Sequence, residues 1–218
     1  MSFPQFGPFA AAFGSSGLDV PGYLTLLNLG QDDALIVIDR IAEALRGSDS
    51  QKWVTALFAD PNWRPHLVGA IAILLDQRTT LDVAPLWSAI DAGSWVTPQL
   101  IATAYFSDPA FASRALDRMT NGCPVTVPGL DPLMRHVATG PAGTNGRGGK
   151  MAASILAVSS NFASLAIHEG AWRADPKLRP FLDEDRAWDG SEGITKRWMA
   201  SVAGYLLKRG ITLSPPVG

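Results

Sequence analysis

The sequence predicts an all-α protein built from stacked antiparallel helix pairs, and three observations carry that. Apolar residues recur at helical spacing through most of the chain. No stretch strings alternating β-branched residues between turn signals, so strands have no support. An Asp-Pro step recurs with similar flanks at Asp60-Pro61, Asp108-Pro109 and Asp175-Pro176. Such a carboxylate accepts the free N–H groups of a first helical turn, and the following proline needs no N–H there. Asp60, Asp108 and Asp175 are therefore expected as structural caps, with Thr97-Pro98 as the threonine version. Gly47, Gly93 and Gly122 stand at expected helix stops.

In chain order, residues 1–30 read as an arm that packs onto the body through Phe3, Phe6, Phe9 and Phe13. Over 33–46, Leu35, Ile38, Ile41, Ala42 and Leu45 share one face opposite Asp39, Arg40, Glu43 and Arg46, which is an amphipathic surface helix. Trp53, Val54, Leu57 and Phe58 give a shorter helix over 51–59. Residues 65–75 are apolar all round, which places that helix in the middle of the core. Helices follow over 82–91, 98–107 and 109–119, completing a repeat region over 31–138. Residues 139–150, TGPAGTNGRGGK, hold five glycines and a proline and read as a flexible loop. A C-terminal repeat over 151–218 contains one long helix, 149–168, and two more over 177–186 and 193–209.

Internal repetition gives the stacking. ALFADPNW (56–63) aligns with AYFSDPAF (104–111), and DPNWRPHL (60–67) aligns with DPKLRPFL (175–182). Units of helix, Asp-Pro turn and helix, each burying an apolar face on the next, account for both matches. These units resemble HEAT-type α-helical repeats, in which the turn carries an Asp and, a few residues on, an Arg that opens the second helix. Asp60 with Arg64 and Asp175 with Arg179 carry that spacing, while Asp108 with Arg114 departs from it. The resemblance implies a scaffold that holds other macromolecules.

Composition excludes several classes. With 218 residues, 47% of them hydrophobic, and a net charge of −2, the chain has material for a core and is not disordered overall. A single cysteine, Cys123, excludes a disulfide framework, and no apolar run approaches the ~20 residues of a membrane span. No basic residue precedes the interrupted apolar N-terminal stretch, so a secretory signal is not expected and the cytoplasm is the expected compartment. Residues 1–100 hold ten acids and five bases, whereas 101–218 hold ten acids and thirteen bases. A mild acidic balance of this kind does not predict nucleic-acid binding.

Motifs of chemistry are sparse. The 139–150 loop ends in Gly149-Lys150, but Thr144 and Met151 stand where a phosphate-binding loop needs a glycine and a hydroxyl residue. His66, His136 and His168 are isolated, and no metal-ligand spacing links them to Cys123, so neither metal nor cofactor is expected. The alternative reading is an all-α enzyme with His136 or His168 as general base near the loop, Glu169 orienting the latter. A third reading is a self-associating structural module.

The seven tryptophans point elsewhere. Trp63 replaces Phe111 and Leu178 at a repeat turn and reads as core. Trp95 and Trp172 precede caps and read as staples. Trp188, in DRAWDGSEG, is expected to be exposed among charges, the composition of a binding hot spot. Its neighbours Asp183, Glu184 and Asp185, with Arg147 and Lys150 of the loop, complete the expected partner-binding set. A small, mildly acidic, tryptophan-rich chain without catalytic residues is similar to bacterial immunity or adaptor proteins. That resemblance implies a non-catalytic protein whose partner is a protein, a basic toxin in its sharpest form.

Overall fold

A computed structural model describes residues 3–14, 21–29, 33–76, 80–121, 147–187 and 190–213. It is an all-α fold, and no β-strand is present among the described residues. A 3-10 segment, Pro4–Phe13, precedes α1 (Gly22–Asn28), α2 (Asp33–Ala44), α3 (Ser50–Ala59), α4 (Trp63–Leu75), α5 (Ala84–Asp91), α6 (Thr97–Ser107) and α7 (Phe111–Asn121). Beyond these come α8 (Arg147–Leu156), a short 3-10 turn (Ser159–Asn161), α9 (Ala163–Ala174), α10 (Arg179–Ala187) and α11 (Ser191–Leu207).

The apolar pattern explains the layers. In α4 every residue from Pro65 to Leu74 is buried, as its unbroken apolar run requires. Helix α6 is buried from Thr97 to Tyr105, and its hydroxyls bond back to its own carbonyls, Thr103 to Gln99 at 2.9 Å and Ser107 to Thr103 at 2.7 Å. Helix α3 packs along α4, α5 along α6, and α11 against both α6 and α8. One continuous core therefore runs from Phe6 to Leu206. The N-terminal 3-10 segment lies on α2 and α3 with Phe6, Phe9 and Phe13 buried. The Trp198 indole N–H donates to the Leu26 carbonyl at 3.0 Å, joining α11 to α1.

The three Asp-Pro bends share one local geometry. Each Asp has extended φ/ψ, the conformation favoured before proline. Each carboxylate accepts the backbone N–H two residues on, Asn62, Ala110 and Lys177, at 2.8 Å in every case. At Asp108 and Asp175 the accepted N–H likewise lies ahead of the next helix, one residue before Phe111 and two before Arg179. At the first bend the cap itself is Asn62, whose side chain accepts the Arg64 N–H at 3.1 Å, and Asp60 only shapes the turn before it. The arginines depart from the expected pairing. Arg64 bonds the Tyr23 hydroxyl and Asn62, and Arg179 faces Asp183 at 3.7 Å across solvent. The bend whose spacing departed is the one that pairs, Arg114 lying 3.3 Å from Asp108.

Two expectations in the C-terminal half are corrected. The loop reading of 139–150 fails at its end, because residues 147–150 form the first turn of α8, while residues 139–146 lie outside the described residues. The reason is close packing: a Cβ on Gly149 would stand 2.7 Å from Cβ of Phe181 on α10, so glycine here admits a neighbouring helix. The long helix 149–168 is also broken. Ser159 donates its hydroxyl to the Leu156 carbonyl, and the chain turns so that Phe162 enters the core, its ring 5.4 Å from Phe111 and 5.7 Å from Tyr105.

Asp108 is the most demanding of the bend residues. It is 2% exposed, and its second oxygen accepts the Trp87 indole N–H at 2.6 Å as well as facing Arg114. Asp108→Ala therefore removes the hydrogen bond that shapes its bend and strands a buried indole donor, an expected loss of about 3 kcal/mol. Asp175→Ala removes the turn hydrogen bond alone and should cost about 1 kcal/mol. Urea unfolding of the two variants beside wild type measures the difference.

Candidate binding surface

Side chains from four separate elements meet at one end of the helix stack. Tyr23 stands in the first turn of α1, Trp63 and Arg64 open α4, Trp95 sits two residues ahead of α6, and Lys150 lies in the first turn of α8. The Trp63 ring lies edge-on to Tyr23 at 6.0 Å and 5.0 Å from Trp95. The Arg64 guanidinium lies 5.0 Å from the Trp63 ring centre and 5.5 Å from that of Tyr23, and it donates to the Tyr23 hydroxyl at 3.0 Å. The Lys150 ammonium lies 5.7 Å from the centre of the Trp95 ring. Trp95 itself is 58% exposed. An indole left in solvent, backed by a second indole and rimmed by two cations, has the residue types that dominate binding energy at protein interfaces.

The other exposed apolar feature is weaker. On α9, Ala163, Ala166, Ile167, Gly170, Ala171 and Ala174 face solvent on one stripe, with Ile167 76% exposed. Small side chains bury little area each, and at roughly 25 cal/mol per Å² such a stripe offers far less than a tryptophan pair. A cleft of about 640 Å³ beside Leu45, Gln51, Asp76 and Leu81 presents polar groups already committed. Asp76 accepts from the Thr80 and Leu81 N–H groups, and Gln51 bonds Asp82 and Thr55.

The site residues expected from sequence separate. Trp188 lies outside the described residues, so its exposure has no structural reading. Asp183, Glu184 and Asp185 share α10, and the side chain of Glu184 lies outside the described residues. Asp183 faces Arg179 in solvent, whereas both oxygens of Asp185 cap α11, accepting the Ser191 N–H at 2.6 Å and its hydroxyl at 2.7 Å. Arg147 opens α8, and among the members whose side chains are described Lys150 is the one brought to the aromatic cluster. Trp63 is half-buried and Trp95 exposed, where core and staple positions were expected. The available signal was an indole in the short Gly93-Ser94-Trp95 turn, where a polar residue is ordinary.

Among the histidines, His136 lies outside the described residues. His168 packs on Trp172 in the middle of α9, and Glu169 turns away from it to Ser159 at 3.0 Å and Arg173 at 2.9 Å. His66 has the partners that sequence could not show. Its Nδ1 lies 2.7 Å from the Ser94 hydroxyl and its Nε2 2.9 Å from the Asp60 carbonyl. Since a carbonyl only accepts, Nε2 carries the proton and the Ser94 hydroxyl donates to Nδ1. A serine beside a histidine is a nucleophile–base pattern. Here the residues are 9% and 4% exposed, and both ring nitrogens are used to tie the Asp60 bend to the turn before α6. That tie positions Trp63 beside Trp95.

Among the described residues no group of His, Cys, Asp and Glu is arranged to hold a metal ion, and no helix is long and apolar enough to cross a membrane. Comparison with protein-family models, with curated proteins and with solved structures returns no match for this chain.

The titrating groups set two pH windows. Burial holds His66 below its ordinary value of 6.5, outweighing the Asp60 carbonyl and charge that favour protonation. Above pH 6.5 both folded and unfolded chains are neutral at this site, and below it the unfolded chain takes up the proton first. Stability should fall by up to about 1.4 kcal/mol by one pH unit below that value, and His66→Gln should flatten the fall. Lower down, the Arg173 hydrogen bond holds Glu169 below the usual carboxylate range. Burial opposes ionisation of Glu192, yet Arg173 and Lys196 together hold it low as well. Their contribution is present above about pH 4.5 and is lost as pH falls through the folded values. Urea midpoints across both windows resolve the two losses.

Proposed function

We propose that this chain is a protein-binding helical module whose contact surface is centred on Trp95. The observation that carries the reading is the exposure of this indole on a rigid support. Its ring rests on Trp63, and Trp63 is fixed by Tyr23 and Arg64 at the start of α4. A ring held in one place before binding loses little conformational freedom on contact, and a flat aromatic face excludes water over a large area. The reading agrees with the scaffold role implied by the repeat resemblance. An immunity-type role, in which the bound protein is a toxin whose working surface is covered, is the finer form of the proposal and rests on the likeness in size, charge and tryptophan content to bacterial immunity proteins alone.

The test is retention of a protein by the immobilised chain from an extract of the cells that encode it. The wild-type chain should retain one protein in stoichiometric amount. Trp95→Ala should lose about 2 kcal/mol or more of that binding, roughly thirtyfold, with its unfolding midpoint unchanged. Ile167→Ser, on the α9 stripe, should retain the protein normally. Retention of nothing by wild type, or equal retention by Trp95→Ala, would overturn the reading.

A further inference from the structure

We infer that the segment seated on Trp95 is acidic: a polypeptide stretch in which an apolar side chain meets the indole and carboxylates beside it meet Arg64 and Lys150. The inference rests on the protein-binding reading and names the partner's chemistry. Its first support is how the chain pairs its bases elsewhere. Arg118 holds Asp91 by two bonds of 2.6 and 2.7 Å, Arg173 holds Glu169 and Glu192, and Arg209 pairs with Asp39. Lys52 over Trp53 and Lys208 over Tyr205 are held by rings instead, and around Trp95 two bases without a carboxylate stand together beside an exposed indole. Arg64 places two of its five N–H donors on the Tyr23 hydroxyl and the Asn62 amide oxygen, and Lys150 lies over an aromatic ring. Neither has a carboxylate partner among the described residues. Asp60, close by in sequence, places one oxygen on the Asn62 N–H.

The second support is the direction of the helices. The contacts between Trp63, Trp95 and Lys150 bring the N-terminal ends of α4, α6 and α8 together. Each such end carries a fraction of a positive charge from its aligned peptide dipoles, and here those fractions add to the two side chains. The resulting field favours carboxylates and repels a basic surface, the opposite of the basic partner that the immunity-type resemblance implies. A nucleic acid is the other polyanion in reach, but phosphate binding draws on extended rows of bases, and this rim has two in a chain of net charge −2.

Selection of random peptides displayed on phage against the full-length chain tests this. The expected result is enrichment of sequences with Asp or Glu beside Trp, Phe or Leu. A synthetic copy should bind wild type, weaken about tenfold or more in Trp95→Ala and severalfold in Lys150→Glu, and weaken as salt rises. Circular dichroism and urea unfolding show that both variants fold. Basic or uncharged peptides that still depend on Trp95 would overturn the acidic assignment and leave the protein-binding reading standing. No enrichment, or binding indifferent to Trp95→Ala, would overturn both. Displacement of the peptide by a short single-stranded oligonucleotide that binds more tightly, or a concentration-dependent dimer lost in Trp95→Ala, would replace the inferred partner with a nucleic acid or a second copy of the chain.

Discussion

A carboxylate oxygen 2.8 Å from the backbone N–H two residues on recurs at Asp60, Asp108 and Asp175, and the course of the chain follows from it. A helical protein must reverse direction without leaving first-turn N–H groups unpaired, because an unmade buried hydrogen bond costs more than a made one gains. Asp-Pro meets the requirement locally, since proline removes one donor, sets the preceding residue extended and lets its carboxylate serve the next donor. Flanking helices then find different packing. Helix α4 folds back along α3, while α7 leans on α9 more than on α6. Asp108 is the bend where local and tertiary demands coincide, since the same carboxylate that shapes the turn also takes the Trp87 indole N–H from α5.

The first of these bends, with the turn over residues 93–96, has a consequence at the surface. Because α3 reverses into α4 and α5 into α6, α4 and α6 begin at the same end, and α8 begins there too. That end gathers peptide N–H dipoles, the bases Arg64 and Lys150, and three aromatic rings. His66 links the parts from beneath, holding the Asp60 carbonyl on one ring nitrogen and the Ser94 hydroxyl on the other. A buried neutral histidine in that position makes the Trp63–Trp95 contact part of the folded core's geometry, although Trp95 itself faces water.

Much of the fold is legible in the residues themselves. The unbroken apolar run of α4 declares its central place, and the Asp-Pro steps declare the bends. Other features depend on neighbours that no local pattern records. Gly149 looks like loop until Phe181 is seen to need the space where its Cβ would stand. The apolar stripe over 149–168 looks continuous, but Phe162 gains more from the ring cluster of Tyr105 and Phe111 than from another helical turn. The exposed aromatic cluster was the least legible part. Trp188 had the charged flanks of a hot spot, whereas Trp95 gained its setting from residues on three other elements, and Ser94 and His66 lie 28 positions apart. Side-chain type is local, but exposure and pairing are tertiary.

Quenching of tryptophan emission by iodide and by caesium probes the surface most directly, since it reads both the exposure of an indole and the sign of the charge around it. An exposed Trp95 under Lys150, with Arg64 on the neighbouring Trp63, predicts that iodide quenches the wild-type chain more strongly than caesium, and that Trp95→Phe lowers the iodide-sensitive emission. Emission quenched equally by both ions and unchanged by Trp95→Phe would contradict a solvent-facing indole in a positive rim at this end of the helix stack.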